Sequence, residues 1–191
     1  NTFRRLFAEG TFNAAFIPSY TSAKLKNKKK GEIFADDVLN VLLLVLIFIV
    51  TLAEIFTPYL LYLIAPGFIT DDIKFNLAVE LTRITFPFLL FISLGSFFSG
   101  ILNSNNKFAA AAAAPIILNI VLIAVLCISF IENFNIAKQL SYGVTLAGIL
   151  QLFFLIFFTY RFYKPKIKFF FKISKEVKFF FKKLLPSIFS S

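Results

Sequence analysis

"VLNVLLLVLIFIVTLAEIF", residues 38–56, carries one ionisable side chain, Glu54, in nineteen positions. A helix needs about 17–25 predominantly apolar residues to cross a bilayer. The stretch and its apolar flanks, residues 36–65, are therefore predicted to cross a membrane as one α-helix. Working outward, three more runs reach that length, at 76–102, 109–131 and 139–160. Their connections fall at 21–35, 66–75, 103–108, 132–138 and 161–183. "FRRLFAEGTFNAAFIP", within 1–20, is expected to close a further membrane helix, and residues 184–191 to begin another. The fold class is thus an all-α integral membrane protein, a polytopic helical bundle.

Composition agrees. Hydrophobic residues make up 59% of the 191 positions, 29 of them phenylalanine, against roughly 45–50% in ordinary soluble domains. Histidine is absent and Cys127 is the single cysteine, so the commonest metal ligand and general base is missing and no disulfide can form within the chain. No catalytic constellation, cofactor or metal is expected. Methionine is also absent, position 1 included, which suggests a piece of a longer protein.

Lysine and arginine accumulate in cytoplasmic loops. Residues 1–30 hold seven basic side chains against Glu9, and residues 161–183 hold nine against Glu176. Both segments are expected on the cytoplasmic side. The 66–75 connection, with Asp71 and Asp72 against Lys74, fits the outer side. Sixteen of the twenty basic residues lie in the two inner segments, so the net charge of +10 needs no nucleic acid to explain it. In 161–183 an FFFK block recurs at 169–172 and 179–182, and its alternation of Lys with Phe suits a helix lying in the membrane interface.

Polar groups inside apolar runs default to functional candidates. Glu54 lies near the outer end of its span, where it could reach water; Arg83 has Glu80 one turn away as an i,i+3 partner. Thr82, Thr85, Leu89, Ser93, Ser96, Gly100 and Asn103 recur at steps of three and four, on one helical face. Such a stripe can line an aqueous cavity or permit close helix packing through small residues, and both readings stay open. Pro87 and Pro115 should bend their helices or leave carbonyls free. In the opening motif Arg5 and Glu9 are four apart and can pair on a helix, while Arg4 projects elsewhere without a local partner. A guanidinium at a membrane boundary is suited to phosphate oxygens, although ordinary positive-inside residues at a helix end would look the same.

The string "FRRLFAEGTFNAAFIPSY" at 3–20 closely resembles the signature segment of the MurJ (MviN) family of lipid II flippases. "LIAPGF" at 63–68, "LTRITFPFLLFISLGSFFSGILNSNNKF" at 81–108 and "APIILNI" at 114–120 follow in the same order. Thr11 and Asn13 depart from the Ala and Ser usual in the family. The resemblance implies part of the N-terminal lobe of a fourteen-helix transporter of the multidrug/oligosaccharidyl-lipid/polysaccharide superfamily, from the end of its second helix to the start of its seventh. It implies movement of lipid II from the cytoplasmic to the periplasmic leaflet of the bacterial cytoplasmic (inner) membrane by alternating access. The substrate, membrane lipids and other cell-wall synthesis proteins are then the partners. Arg4 matches the cavity arginine that would engage the diphosphate, with Arg5 and Glu9 in support; Asn103 is added from the polar stripe. An exporter of another lipid-linked saccharide or a drug, and a non-transporting scaffold acting through 161–183, are the alternatives.

Overall fold

The computed structural model describes residues 10–68, 70–132, 135–168, 174 and 177–182. Arg4, Arg5, Glu9, the first FFFK block and the helix expected at 184–191 lie outside them.

Among the described residues the longer helices are, in order, α1 (Thr11–Lys26), α2 (Lys28–Ile64), α3 (Asp72–Thr85), α4 (Phe88–Ser104), α5 (Phe108–Glu132) and α6 (Ile136–Thr159). No strand occurs among the described residues. Among the described residues four segments are long and apolar enough to span a membrane, namely α2, α3 with α4, α5 and α6. Apolar side chains such as Phe48, Ile55, Ile123 and Phe153 point outward on them, as a surface solvated by lipid requires.

Residues 21–35, expected as a loop, are helical apart from Asn27. Lysine is a good helix former, and the break needs only one residue: Asn27 takes an extended conformation and its side chain accepts from the Lys29 N–H at 2.8 Å, capping α2. Gly31 lets α1 cross α2 closely, since a Cβ there would lie 2.9 Å from the Lys24 Cα. With 37 residues, α2 is about 55 Å long, well beyond the ~30 Å hydrocarbon core. Its basic end therefore projects past that length, with Lys28, Lys29 and Lys30 exposed and Phe34 to Asn40 buried against the rest of the protein.

The core is built on that projection. Phe12, Phe16 and Tyr20 recur every four residues on α1, are buried, and stack at centroid distances of 5.4 and 5.6 Å. Phe97 of α4 packs 5.1 Å from Phe16, and Phe34 of α2 lies 6.1 Å from it. Phe180 meets Phe12, Phe16 and Phe34 edge-on.

That last contact revises the reading of 161–183 as an interfacial helix. Residues 163–168 are not helical, 177–182 are, and Val177 and Phe180 are buried in the core. The reason is a set of polar anchors on α2. Asp36 Oδ1 accepts from Tyr163 Oη at 2.6 Å and from the Lys166 N–H at 3.1 Å. One turn on, Asn40 Oδ1 accepts from the Lys168 N–H at 2.9 Å, and Asn40 Nδ2 donates to the Asp36 and Lys166 carbonyls. Backbone groups of 166–168 thus find partners on α2 and not on a helix of their own.

Polar side chains bond carbonyls near three of the prolines. Pro58 leaves the Glu54 carbonyl without its i+4 donor, and Thr57 Oγ1 reaches that carbonyl at 3.1 Å while also bonding Ala53. Pro87 separates α3 from α4; Thr145 of α6 donates to the Ile84 carbonyl in the preceding turn. Gln151 of α6 donates to the Ala114 carbonyl beside Pro115 at 2.7 Å. Gly148 lets α6 lie against Phe88 and Phe91.

Candidate functional site

The polar stripe divides into three parts. Thr82 and Thr85 belong to α3, where Thr85 Oγ1 bonds back to the Leu81 carbonyl at 2.9 Å. Gly100 is a packing residue: a Cβ there would come 2.5 Å from Asn13 Oδ1 and 2.8 Å from Phe16. Ser96 and Asn103, together with Ser99, line a groove of about 570 Å³ between α1, α4, α5 and α6. Ser93 is buried, so the stripe serves packing at Gly100 and lines the groove at Ser96 and Asn103.

Asn13 from α1 and Gln151 from α6 complete the polar lining, and Phe88, Phe91, Leu118 and Leu155 supply apolar walls. Asn13 Oδ1 is buried with no hydrogen-bond partner among the described residues. A buried unpaired acceptor of this kind costs about 1–3 kcal/mol, and this one faces Gly100. No charged side chain is among its described lining. The groove can hydrogen-bond a polar ligand, but neutralising a phosphate requires cations from elsewhere.

Gly10 stands at the entrance to α1. Its φ of 88° is left-handed, its carbonyl accepts from the Ala14 N–H at 2.8 Å, and the helix begins at the next residue. The motif residues Arg4, Arg5 and Glu9 precede this turn and lie outside the described residues.

Two other sequence candidates have different partners from those expected. Glu80 pairs with Lys138 of α6 at 2.6 Å, not with Arg83. Arg83 is exposed and acts electrostatically on Glu54 of α2, whose Oε1 is buried without a hydrogen bond among the described residues. The pairing follows from packing: α3 lies against both α2 and α6, so each charge answers one across a helix contact. Sequence inspection passed over Gln151 as well as Asp36, Asn40 and Tyr163. "ADDVLN" at 35–40 did carry a signal, two acids and an amide at the edge of a lipid-grade run.

The family model described as lipid II flippase MurJ matches residues 1–191. A probable lipid II flippase MurJ of Rickettsia prowazekii (strain Madrid E) is 45% identical over 157 residues, covering 81% of this chain and 30% of the relative. Its counterpart from Rhizobium tropici is 44% identical over 157 residues, covering 80% and 30%. The chain thus spans under a third of the length of these relatives. A solved structure titled lipid II flippase MurJ, inward closed conformation, superposes with a TM-score of 0.76 at 28% identity, over 98% of this chain and 38% of that one. With every residue inside the family model and the helical arrangement shared with a solved member, this multi-pass membrane chain belongs to the lipid II flippase MurJ family.

Proposed function

We propose that this chain forms part of the N-terminal lobe of a fourteen-helix flippase that carries lipid II from the cytoplasmic to the periplasmic leaflet of the bacterial cytoplasmic (inner) membrane. The observation that carries this reading is the match of all 191 residues to the flippase family. The physical logic is one of divided labour. The groove beside Asn103 offers hydrogen bonds without charge, and Arg4 and Arg5 bring the cations a diphosphate needs. Arg4 lies six positions before Gly10, a reach of no more than about 22 Å. Arg4 then grips the diphosphate with its planar fork, Arg5 and Glu9 position and gate it, and Asn103 contacts the polar part of the cargo. The prenyl tail stays in lipid while the inner side closes and the outer side opens. Transport of this kind makes and breaks no covalent bond, so the protein acts as a transporter and not as an enzyme. Membrane lipids and other cell-wall synthesis proteins are its remaining partners.

The scaffold alternative needs 161–183 free to dock, and the burial of Tyr163, Val177 and Phe180 weighs against it. Proteoliposomes holding the chain, completed with the remaining segments of a curated relative, test the proposal with fluorescent lipid II. Movement of label between leaflets is expected for the parent, none for Arg4→Ala, and impaired movement for Arg4→Lys. Unlabelled lipid II should compete where another polyprenyl-linked saccharide does not. Undiminished transport by Arg4→Ala would remove the assigned role of that residue; equal competition by the other saccharide would move the protein to a broader exporter.

A further inference from the structure

A second groove, of about 740 Å³, lies at the end of the bundle where α4 turns into α5 and α6 ends. It is separate from the groove beside Asn103 except for Phe108, which edges both. Its floor is made by small side chains of α5, Ala109 and Ala113, and one wall by Phe154 and Phe158 of α6. The two rings pack at 4.7 Å, so the wall is continuous and apolar. Two cations, Lys107 and Arg161, stand on the same lining. Both are exposed; Lys107 Nζ sits 6.0 Å over the Phe162 ring. No carboxylate is among the described lining. This end of the bundle also carries the basic 161–183 segment, the side where anionic lipids give the leaflet its negative potential.

An apolar slot with a cationic mouth matches one chemistry: a fatty-acyl chain joined to an anionic headgroup. A nucleotide or free phosphate would leave the alanine and phenylalanine walls unused, and a neutral lipid would leave Lys107 and Arg161 uncompensated. The volume falls in the ~300–1,000 Å³ range of small-molecule sites. We propose that this groove is a binding site for one anionic glycerophospholipid of the cytoplasmic leaflet, with an acyl chain along α5 and α6 and its phosphate between Lys107 and Arg161. The site lies outside the transport groove and does not depend on what the protein transports.

Native mass spectrometry of the full-length protein carrying this chain tests it, titrated with phosphatidylglycerol and, in parallel, phosphatidylcholine. Each basic residue near an anionic surface contributes about a fivefold gain. Lys107→Gln with Arg161→Gln should therefore weaken phosphatidylglycerol binding by roughly 25-fold and leave phosphatidylcholine unchanged. Ala109→Phe, at an exposed position that fills the groove without touching the core, should weaken it with both charges in place. A control with Lys164→Gln and Lys178→Gln removes the same charge away from the groove and should retain binding. Circular dichroism confirms that each variant is folded. Wild-type affinity in the groove variants, an equal loss in the control pair, or equal competition by soluble glycerol phosphate would each overturn the site.

Discussion

Gly10 occupies a left-handed backbone conformation that an L side chain enters at a cost of roughly 1–2 kcal/mol. Gly10→Ala should lower the thermal stability of the protein by about that amount and disturb the turn joining the arginine motif to α1, read out by melting in detergent together with transport. Gly100 behaves differently, because its constraint is space. A methyl there meets Asn13 and Phe16, so Gly100→Ala should cost about 1–3 kcal/mol through overpacking, and Asn13→Ala in the same molecule should recover part of it. Asn103 lies half-buried on the groove with no packing duty of this kind. Asn103→Ala is expected to change stability by less than about 0.5 kcal/mol while reducing transport. At this scale the sequence was readable where spacing carried the signal: the three-and-four stripe led to Asn103. Asn13 and Gln151 escaped because the partners of a lone amide are set by helices that meet only in the fold. Gln151 and Ala114 are 37 positions apart.

At the scale of elements, the anchoring of 163–168 on α2 decides how the segment after α6 leaves the bundle. Asp36→Ala would orphan the buried Tyr163 hydroxyl, at about 1–3 kcal/mol, and would free the part-buried Lys166 N–H, which water can reach at a smaller cost. Tyr163→Phe removes one donor and leaves the other paired, so it should cost less. Hydrogen exchange at Lys166 and Lys168 should rise in the first variant more than in the second. Burial, and then the hydrogen bond to Asp36, hold the Tyr163 hydroxyl above its ordinary pKa. A raised phenol favours the protonated side chain in the folded protein. Its contribution is therefore complete below the unfolded value near pH 10 and is lost as pH rises beyond it. Alkaline unfolding should begin there in the parent and be shallower in Tyr163→Phe. The apolar runs were legible because lipid demands unbroken hydrophobicity over a known length. The extension of α2 back to Lys28 was not, since a lysine-rich turn looks alike as helix or loop, and Val177 and Phe180 are two apolar residues among many.

For the whole molecule, we propose that the excess of lysine and arginine at 1–30 and 161–183 orients the bundle with both segments cytoplasmic. With Cys127 replaced by serine, a cysteine at Lys29 or Lys164 should be labelled only from the cytoplasmic side and one at Lys74 only from outside. Reversed labelling would require a different orientation of every helix. The Glu80–Lys138 pair, about half-exposed on both sides, belongs to the class of ion pairs worth about 0–1 kcal/mol, and Lys138→Gln should leave folding nearly unchanged. The described helices and the groove among them carry hydrogen-bonding groups without a charged lining, so the proposed cargo specificity rests on the arginines that precede Gly10. Complementation tests this most directly: a host depleted of its own flippase is supplied with the chain completed by a relative's remaining segments, alongside its Arg4→Ala version. Growth with the first and lysis with the second, at equal membrane abundance, is the expected result; growth with both would contradict the role given to Arg4, and lysis with both would contradict lipid II as the cargo.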